Sequence, residues 1–492
     1  MKREIRTLIA GAGEAGRAVL EEYRKIGRDH TVIGFADDRI TTGDLPEQEK
    51  PVLGTTGEIG PIIRDHSLNQ VIIAMPSVEA DIIQRIISDA LSVDETVSIH
   101  VIPAVERLFD GIPLTPALDD FPITELLGRE EYHIDTDLIT EHFRDRSILI
   151  TGAGGSIGSE LCRQILKFNV RRIIALDRCE FSIYSLAKTM NGYLDLMQRR
   201  PEVSYRVTDV RDPASLEHMF RELRPDIVIH AAAHKHVPLM ESNEYEAIQN
   251  NVAGTRNVLE ACLNSGTGEF VLISTDKAVH PVNIMGATKR LAELVTRYYN
   301  TGGPLRTSIV RFGNVIGSRG SVIPLFREQI QGGGPVTVTH PEVKRYFMSI
   351  PEAALLVLNA SAYAGGGEIF MLEMGEQYRI IDIARKLIEF YGYVPEKEIR
   401  IVYTGLRPGE KLTEVLSYEK ESLVSTGNKK IHVLKPDSSM TDYSAVEGLI
   451  STEPGELIAL SPVEIREMIQ AIIPEYRWRS TDADCGTARI VN

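Results

Sequence analysis

The stretch Ser147-Ile-Leu-Ile-Thr-Gly-Ala-Gly-Gly-Ser-Ile-Gly158 decides the fold of this chain. It opens as a short apolar strand and continues into a glycine-rich turn that starts a helix. Such a turn lets backbone N–H groups and the helix N-terminus approach a pyrophosphate, because glycine places no Cβ in the way. The stretch predicts a dinucleotide-binding α/β unit. The alternative is that these glycines only form a tight turn.

An acidic residue at the end of the next strand supports the dinucleotide interpretation. Asp177 follows Gly152 by 25 residues. Its carboxylate would accept from both ribose hydroxyls and repel a 2′-phosphate, which favours NAD, whereas Arg178 directly after it leaves NADP open. Asp209 and Val210 end the third strand, where an adenine would lie. The residues expected to bind NAD are Gly152, Gly155, Ser156, Ile157, Gly158, Asp177, Arg178, Asp209, Val210, Ala231, Ala232, Ala233, Asn251 and Lys289.

The N-terminal region repeats this plan. Thr7-Leu-Ile-Ala10 is followed by Gly11-Ala-Gly-Glu-Ala-Gly16, and Asp37 and Asp38 follow the next apolar run. No catalytic constellation comes after them. A working nucleotide site and a structural or regulatory relic are both open interpretations of this unit.

Two such units predict an α/β protein with two tandem Rossmann-like, doubly wound parallel-sheet domains. We predict an N-terminal nucleotide-binding-type domain at residues 1–128 and a connector helix at 129–146. An NAD-binding and catalytic domain with a substrate-binding lobe is expected at 147–435, and a C-terminal extension at 436–492.

Composition narrows the class of protein. The 492 residues exceed what one hydrophobic core usually serves, and a net charge of −15 argues against nucleic acid or an anionic membrane as the main partner. The four cysteines lack metal-ligand spacing, so we expect reduced thiols and no metal. No secretory signal is visible, and the uncharged stretch 353–367 is too short to span a bilayer. We expect a soluble, cytoplasmic protein.

The catalytic candidates lie around one further strand end. Lys289 follows Met285 by four residues, the spacing of the catalytic Tyr and Lys in extended short-chain dehydrogenases. Methionine cannot act as an acid or base, so one interpretation is an inactive enzyme. The other places the proton chemistry in Asp276 and Lys277, beside Thr275. A carboxyl and an amine there suit elimination of water, which needs one base and one acid.

These motifs resemble the polysaccharide-biosynthesis (CapD-like) family of UDP-N-acetylglucosamine 4,6-dehydratases, in the extended short-chain dehydrogenase superfamily. The first domain also looks like that family's N-terminal domain, and the resemblance covers residues 1–435. The matching stretches are Ala231-Ala-Ala-His-Lys-His-Val-Pro-Leu-Met-Glu241, Asn250-Asn-Val-Ala-Gly-Thr255, Ser274-Thr-Asp-Lys277, Arg311-Phe-Gly-Asn-Val-Ile-Gly-Ser-Arg-Gly-Ser-Val-Ile-Pro-Leu-Phe326, Lys344-Arg-Tyr-Phe-Met348 and Gly405-Leu-Arg-Pro-Gly-Glu-Lys411.

The resemblance implies that UDP-N-acetylglucosamine is oxidised at C4, loses water across C5 and C6, and is reduced at C6. The product is a UDP-2-acetamido-2,6-dideoxy-hexos-4-ulose for surface polysaccharide or glycan synthesis. Long, membrane-anchored members similarly carry Met at the position of Met285, which counters the inactive-enzyme interpretation and implies retention at C5. We expect Thr275 to bind the C4 oxygen, Lys277 to act as base and Asp276 as acid.

Position in the matching motifs also suggests the substrate contacts. Asn314, Arg345 and Arg407 are expected at the nucleotide diphosphate, because an arginine fork engages phosphate oxygens in pairs; a surface ion pair is the alternative for Arg345. Lys235 and His236 are expected to line the active site. Glu410 either binds ligand or braces its loop.

Two other functions stay open: a UDP-sugar 4-epimerase, which needs no acid–base pair for elimination, and a non-catalytic nucleotide-sugar-binding protein. The expected partners are UDP-N-acetylglucosamine or a related UDP-sugar and further copies of the chain, without nucleic acid. Family members are often anchored to the inner face of the membrane, and we expect membrane association only through segments absent here.

Overall fold

The computed structural model describes twelve stretches of the chain. They are residues 5–25, 29–45, 50–75, 80–93, 97–101, 134–197, 199–300, 303–391, 393–419, 421–435, 443–452 and 457–478. Residues 102–133, which include the start of the predicted connector, and Cys485 lie outside them.

The first unit is a five-stranded parallel sheet in the order β3-β2-β1-β4-β5. Its strands are short and apolar, and β1 is fully buried, as expected for a parallel sheet covered on both faces. Its elements are β1 (Thr7–Ala10), α1 (Glu14–Lys25), β2 (Val32–Ala36), β3 (Val52–Gly54), α2 (Ile59–Asp65), β4 (Gln70–Ile73), α3 (Ala80–Val93) and β5 (Ser98–Val101).

The second unit is built on a nine-stranded sheet in the order β18-β19-β15-β11-β10-β9-β6-β7-β8. The strands from β15 to β8 pair in parallel, whereas β19 and β18 pair antiparallel at one edge. Helices cover both faces and form two large hydrophobic cores. The prediction of two tandem Rossmann-like units is therefore confirmed. The elements of its first half are α4 (Thr136–Phe143), β6 (Ser147–Thr151), α5 (Ser156–Ile165), β7 (Arg172–Asp177), α6 (Glu180–Leu196), β8 (Glu202–Val207), α7 (Pro213–Leu223), β9 (Ile227–His230), α8 (Val237–Met240), α9 (Glu244–Ile248), a π-helical turn (Gln249–Ala253), α10 (Gly254–Ser265), β10 (Glu269–Ile273) and α11 (Ile284–Tyr299).

A smaller lobe rises from the carboxyl ends of the central strands. It contains a three-stranded sheet, β12-β14-β16, and a two-stranded sheet, β13-β17, around a core of its own. In the described parts of the chain after β19, two further helices pack into one core of the large sheet. The remaining elements are β11 (Arg306–Arg311), β12 (Asn314–Val315), α12 (Val322–Gln331), β13 (Val336–Val338), β14 (Lys344–Met348), α13 (Ile350–Tyr363), β15 (Ile369–Leu372), β16 (Gln377–Arg379), α14 (Ile380–Phe390), β17 (Ile401–Tyr403), β18 (Ser422–Ser425), β19 (Ile431–Lys435), α15 (Tyr443–Ser451) and α16 (Pro462–Ile472).

Helix α4, in the predicted connector region, packs directly on the second unit. Ile139 and Phe143 are fully buried in its core. His142 and Arg146 also lie 2.9 and 2.6 Å from the carboxylate of Glu269, at the start of β10. Burial alone would raise the pKa of Glu269, but these neighbours lower it to about 2. The helix thus docks through both apolar and charged contacts.

Across the part of the chain that the structure describes, no helix combines the length and apolar character that a membrane crossing requires. Within that same part, no cluster of three or more His, Cys, Asp or Glu side chains is arranged to hold a metal ion.

Candidate active site

The glycine loop between β6 and α5 has the geometry of a phosphate cradle. Gly152 has a φ of +63°, and a Cβ there would lie 2.7 Å from the backbone nitrogen of Ala232. A Cβ on Gly158 would collide with the carbonyl oxygen of Gly152. Helix α5 starts at Ser156, and its N-cap, Gly155, offers no side chain to the first-turn N–H groups. The first turn therefore presents its N–H groups to an anion.

Asp177 lies at the carboxyl end of β7, beside this loop. Its Oδ2 accepts the Gly154 N–H at 3.0 Å and its Oδ1 accepts the Cys179 N–H at 2.9 Å. Next to it is a cavity of about 450 Å³. The cavity is lined by Arg178, Cys179, Val207, Thr208, Asp209 and Arg211.

The charges around this cavity are paired. Arg178 lies 3.7 Å from Glu246, and Asp209 makes a 2.6 Å ion pair with Arg211, which lowers the pKa of Asp209. The side chain of Val210, by contrast, is buried in the hydrophobic core. Of the two residues expected at the adenine, only Asp209 presents its side chain to the cavity.

Asn251 and Ala231–Ala233 organise the segment after β9. The three alanines are half-buried, and the N–H of Ala232 donates to the Thr151 hydroxyl at 3.2 Å. Asn251, in the π-helical turn, accepts the His234 N–H at 2.7 Å and donates to the Thr288 hydroxyl at 3.0 Å. Its side chain therefore connects the loop after β9 to the helix that carries Thr288.

The turn after β10 carries the three adjacent catalytic candidates. Asp276 is fully buried. Its Oδ1 accepts hydrogen bonds from the Thr275 hydroxyl at 2.9 Å and from the Lys277 ammonium at 3.0 Å. That ammonium also donates to Asn314 Oδ1 at 2.9 Å. Among the described residues Asp276 Oδ2 has no hydrogen-bond partner, so this oxygen keeps unused acceptor capacity.

Two carboxylates, those of Asp276 and Glu414, lie within 4 Å of the Lys277 ammonium. Glu414 Oε1 lies 3.8 Å from its Nζ, and Lys411 Nζ lies 3.3 Å from Glu414 Oε2. Burial alone would lower the pKa of Lys277, but the charges of Asp276 and Glu414 outweigh it and raise the pKa above its ordinary value. Lys277 is therefore a cation in this arrangement, and it must pass a proton on before it can act as a base.

Helix α11 presents Met285 and Lys289 one turn apart. The Lys289 ammonium donates to the carbonyl of Ile273, the last residue of β10, at 2.7 Å. Burial lowers the pKa of Lys289 to about 8, and Glu293 opposes that shift only in part. Met285 is buried in the hydrophobic core. The amine therefore reaches the strand end, whereas the position of the missing tyrosine is apolar.

A pKa near 8 predicts a pH dependence. We expect kcat/KM to fall above about pH 8, because the Lys289 cation that would hold the nicotinamide ribose then loses its proton. The measurement is the pH profile of kcat/KM for the wild type and for Lys289→Arg, whose guanidinium stays charged. In the variant, the fall in kcat/KM should move above about pH 10. If the fall stays near pH 8 in the variant, it belongs to the titration of another group.

The lobe residues expected at the diphosphate are not equally placed. Arg345 is buried, donates to the Lys344 carbonyl at 2.7 Å and lies 3.3 Å from Glu410. Glu410 also accepts from the Thr339 hydroxyl at 3.0 Å and the Arg407 N–H at 3.2 Å. Both of its oxygens are therefore engaged in bracing the loop. Arg407 itself is exposed on that turn.

Lys235 and His236 lie exposed on the segment between β9 and α8. A Cβ on Gly320 would lie 2.5 Å from the His236 ring, so this imidazole packs closely on the loop after β12. Burial and the neighbouring Lys235 and His234 lower the pKa of His236. The two residues thus lie where the β9 segment meets the lobe.

Arg319, which the sequence analysis did not single out, reaches the phosphate loop from the lobe. Its guanidinium donates to the Gly154 carbonyl and lies 3.5 Å from the Ser182 hydroxyl. Its N–H donates to Ser156 Oγ at 3.2 Å, while the neighbouring Ile157 packs against the core. This arginine adds a positive charge beside the cradle.

The first glycine loop has the same local geometry as the second. A Cβ on Gly16 would collide with the carbonyl oxygen of Gly11. Asp37, however, already accepts the N–H groups of Ala12, Arg39 and Ile40 at 2.7 to 2.8 Å. These bonds outweigh burial and lower the pKa of Asp37.

Comparison with known families matches the two units of the chain separately. Residues 148–436 match the family described as polysaccharide biosynthesis protein, and residues 1–103 match the CoA-binding domain family. The chain belongs to the polysaccharide biosynthesis protein family. The family resemblance inferred from the motifs is therefore confirmed.

Individual members and neighbours carry several names. The probable polysaccharide biosynthesis protein EpsC of Bacillus subtilis is 43% identical over 433 residues, 87% of this chain and 71% of that protein. A UDP-N-acetylglucosamine 4,6-dehydratase (inverting) of Campylobacter jejuni is 33% identical over 61% of this chain and 86% of its own length. A UDP-glucose 4-epimerase of Rickettsia akari is 35% identical over 56% of this chain and 78% of its own length. The X-ray structure of Pen from Bacillus thuringiensis aligns with a TM-score of 0.54 and 31% identity, covering 59% of this chain and 90% of that chain.

Glu414 is the second site residue that sequence reasoning missed. It lies three residues beyond the family motif that ends at Lys411, and its side chain is buried against Lys277. An isolated acidic residue after a motif carries no local signal. Only the fold shows that its carboxylate helps to raise the pKa of Lys277.

Proposed function

We propose that this chain is a nucleotide-sugar 4,6-dehydratase that acts on UDP-N-acetylglucosamine. The observation that carries the proposal is the buried pair of Asp276 and Lys277, joined by a 3.0 Å hydrogen bond beside Thr275. An acid and a base side by side suit removal of a proton from C5 with departure of the C6 hydroxyl. The dehydratase and epimerase relatives are about equally similar to the chain, so identity does not decide between them.

The residues present fit a dinucleotide, since a Cβ would fill the cradle at Gly152 and Gly158. When bound there, NAD would accept a hydride at C4 and return it at C6. We propose NAD over NADP because the Asp177 carboxylate beside the loop would repel a 2′-phosphate. The arginines at the adjacent cavity are paired with acids rather than free to bind that phosphate.

Because its pKa is raised, Lys277 begins the reaction cycle as an ammonium. In our mechanism the proton on Lys277 passes along the hydrogen bond to Asp276, which creates the amine base and the carboxylic acid together. Once Asp276 carries that proton, the Thr275 hydroxyl turns from Asp276 Oδ1, donates to the C4 oxygen and holds the sugar. The amine then removes the C5 proton, which the C4 ketone makes acidic, and Asp276 protonates the C6 hydroxyl that leaves as water. The C4 hydroxyl releases its proton to solvent during the oxidation. When the hydride reaches C6, the Lys277 ammonium returns a proton to C5 and takes one from solvent, so the ammonium and the carboxylate are both restored.

We propose that cationic and hydrogen-bond-donating side chains of the smaller lobe bind the nucleotide part of the substrate. Asn314, Arg345 and Arg407 remain the proposed contacts of the nucleotide diphosphate. The side-chain oxygen of Asn314 also accepts a hydrogen bond from the Lys277 ammonium, which places it beside the catalytic pair. Arg345 then contacts phosphate only after a change in its 3.3 Å pairing with Glu410. We assign Glu410 to bracing, since a carboxylate would repel a phosphate.

We further propose the four-part division at residues 1–128, 129–146, 147–435 and 436–492, and a homo-oligomeric assembly. Retention at C5 is proposed from Met285, whereas the Campylobacter relative is named inverting.

The test is to incubate purified protein with UDP-N-acetylglucosamine in D2O without added reductant and to follow the sugar by NMR. We expect a new C6 methyl group, solvent deuterium at C5 and a free or hydrated C4 ketone, with coupling constants that report retention. Formation of UDP-N-acetylgalactosamine would establish the epimerase instead. An unchanged sugar with cofactor bound would contradict the proposed substrate and favour the non-catalytic alternative.

A further inference from the structure

The segment 457–478, here called the C-terminal segment, packs on the catalytic domain beyond the part that matches the family, which ends at residue 436. It contains α16, and its apolar side chains enter the same core as the catalytic helix α11. The members buried most deeply are Leu457, Ile465, Ile469, Ile473 and Tyr476.

One set of polar contacts joins this segment to the start of α11. Arg466 pairs with Glu241 at 3.0 Å and with Glu244 at 2.7 Å. The other oxygen of Glu241 accepts the N–H of Ile284, the first residue of α11, at 2.7 Å. Glu241 therefore satisfies a helix N-terminal donor while Arg466 holds its carboxylate in place.

A second set reaches the catalytic turn itself. The Tyr418 hydroxyl lies 3.0 Å from the carbonyl of Ala278, directly after Lys277, and 3.3 Å from the carboxylate of Glu475. The same carboxylate lies 3.6 Å from the buried Nε of Arg290. The phenol is thus held between the segment and the backbone of the catalytic turn.

The backbone between the turn and the helix needs such support. His280 has a φ of +42°, in the left-handed region that non-glycine residues rarely occupy. Its ring contacts the Tyr418 ring with centroids 4.5 Å apart. One residue on, the carbonyl of Pro281 accepts the N–H of Arg477 at 3.2 Å. Contacts from outside the turn therefore hold a conformation that the local sequence does not favour.

We infer that the C-terminal segment is a positioning element of the active site, and that Tyr418 and Glu475 are positioning residues for the catalytic turn. This inference rests on the proposed function of Thr275, Asp276 and Lys277. Tyr418 and Glu475 act through the backbone of the turn. They keep Asp276 and Lys277 aligned with Lys289, whose amine donates to the carbonyl of Ile273 at the end of β10.

The test uses Tyr418→Phe, which removes only the hydroxyl, and Glu475→Gln, which removes only the charge. The Phe ring keeps its place between Arg290 and Arg311, whose guanidinium carbons lie 5.1 and 5.7 Å from the ring centre. The matched control is Glu467→Gln, which alters an exposed carboxylate on α16, in the same C-terminal segment as Glu475. We expect kcat to fall about 10-fold in both test variants, with KM within about 2-fold and the control at wild-type values.

Amide hydrogen exchange of peptides spanning 275–284 supplies a readout that needs no turnover. It should be faster in both test variants and unchanged in the control. Faster local exchange in a protein that does not dehydrate UDP-N-acetylglucosamine would support the positioning role and contradict only the proposed function. Unchanged kcat and exchange, or faster exchange across the whole chain, would overturn the inference.

Discussion

Lys277→Ala will abolish dehydration while NAD remains bound. The substitution removes the proposed base. It also removes the ammonium that donates to Asp276 Oδ1, which leaves the Thr275 hydroxyl as the donor to that oxygen among the described residues. A general acid or base contributes about 10²- to 10⁴-fold to the reaction rate. In the proposed mechanism Asp276 receives its proton from Lys277, so the variant loses both functions and we expect a rate loss at the upper end of that range. Single-turnover formation of the C6 methyl group, measured alongside bound NAD, gives the effect.

Two controls make this result specific. Lys429→Ala removes an exposed lysine from the turn between β18 and β19 and should leave turnover unchanged. The melting temperature of Lys277→Ala must also be measured, because the variant leaves the carboxylates of Asp276 and Glu414 buried without the ammonium. Dehydration near the wild-type rate by folded Lys277→Ala would remove this residue from the role of base.

Gly158→Ala will lower NAD affinity by about 100-fold or more, which corresponds to about 2.7 kcal/mol. The added Cβ would collide with the carbonyl oxygen of Gly152, which is backbone and cannot turn aside as a side chain can. The loop must shift, and its N–H groups then no longer converge on the pyrophosphate. Titration calorimetry with NAD measures the change.

The matched control is Gly192→Ala in helix α6, where an added Cβ would meet nothing within 4 Å. An alanine there should keep NAD affinity and raise stability slightly, since glycine costs a helix about 1 kcal/mol relative to alanine. Circular dichroism separates a misfolded Gly158→Ala from a folded one with a distorted loop. Wild-type affinity in the folded variant would show that the dinucleotide binds elsewhere.

The features that the sequence alone determined are local ones. The strand, glycine turn and helix from Ser147 to Gly158 were predictable because the apolar run and the glycines act within one short segment. The adjacency of Asp276 and Lys277 follows directly from the chain. So does the one-turn spacing of Met285 and Lys289, which helical periodicity places on one face.

Tertiary structure alone decided which neighbours those residues have. Arg319 contacts Gly154 across 165 positions of sequence, and Tyr418 contacts Ala278 across 140. Val210, which stays predicted at the adenine, has its side chain in the core, so only its backbone could face that ring. Such outcomes depend on how strands and helices pack, and many alternative packings satisfy the same local pattern. The raised pKa of Lys277 has both origins: Asp276 is its neighbour in sequence, whereas the carboxylate of Glu414 reaches it only through the folded lobe.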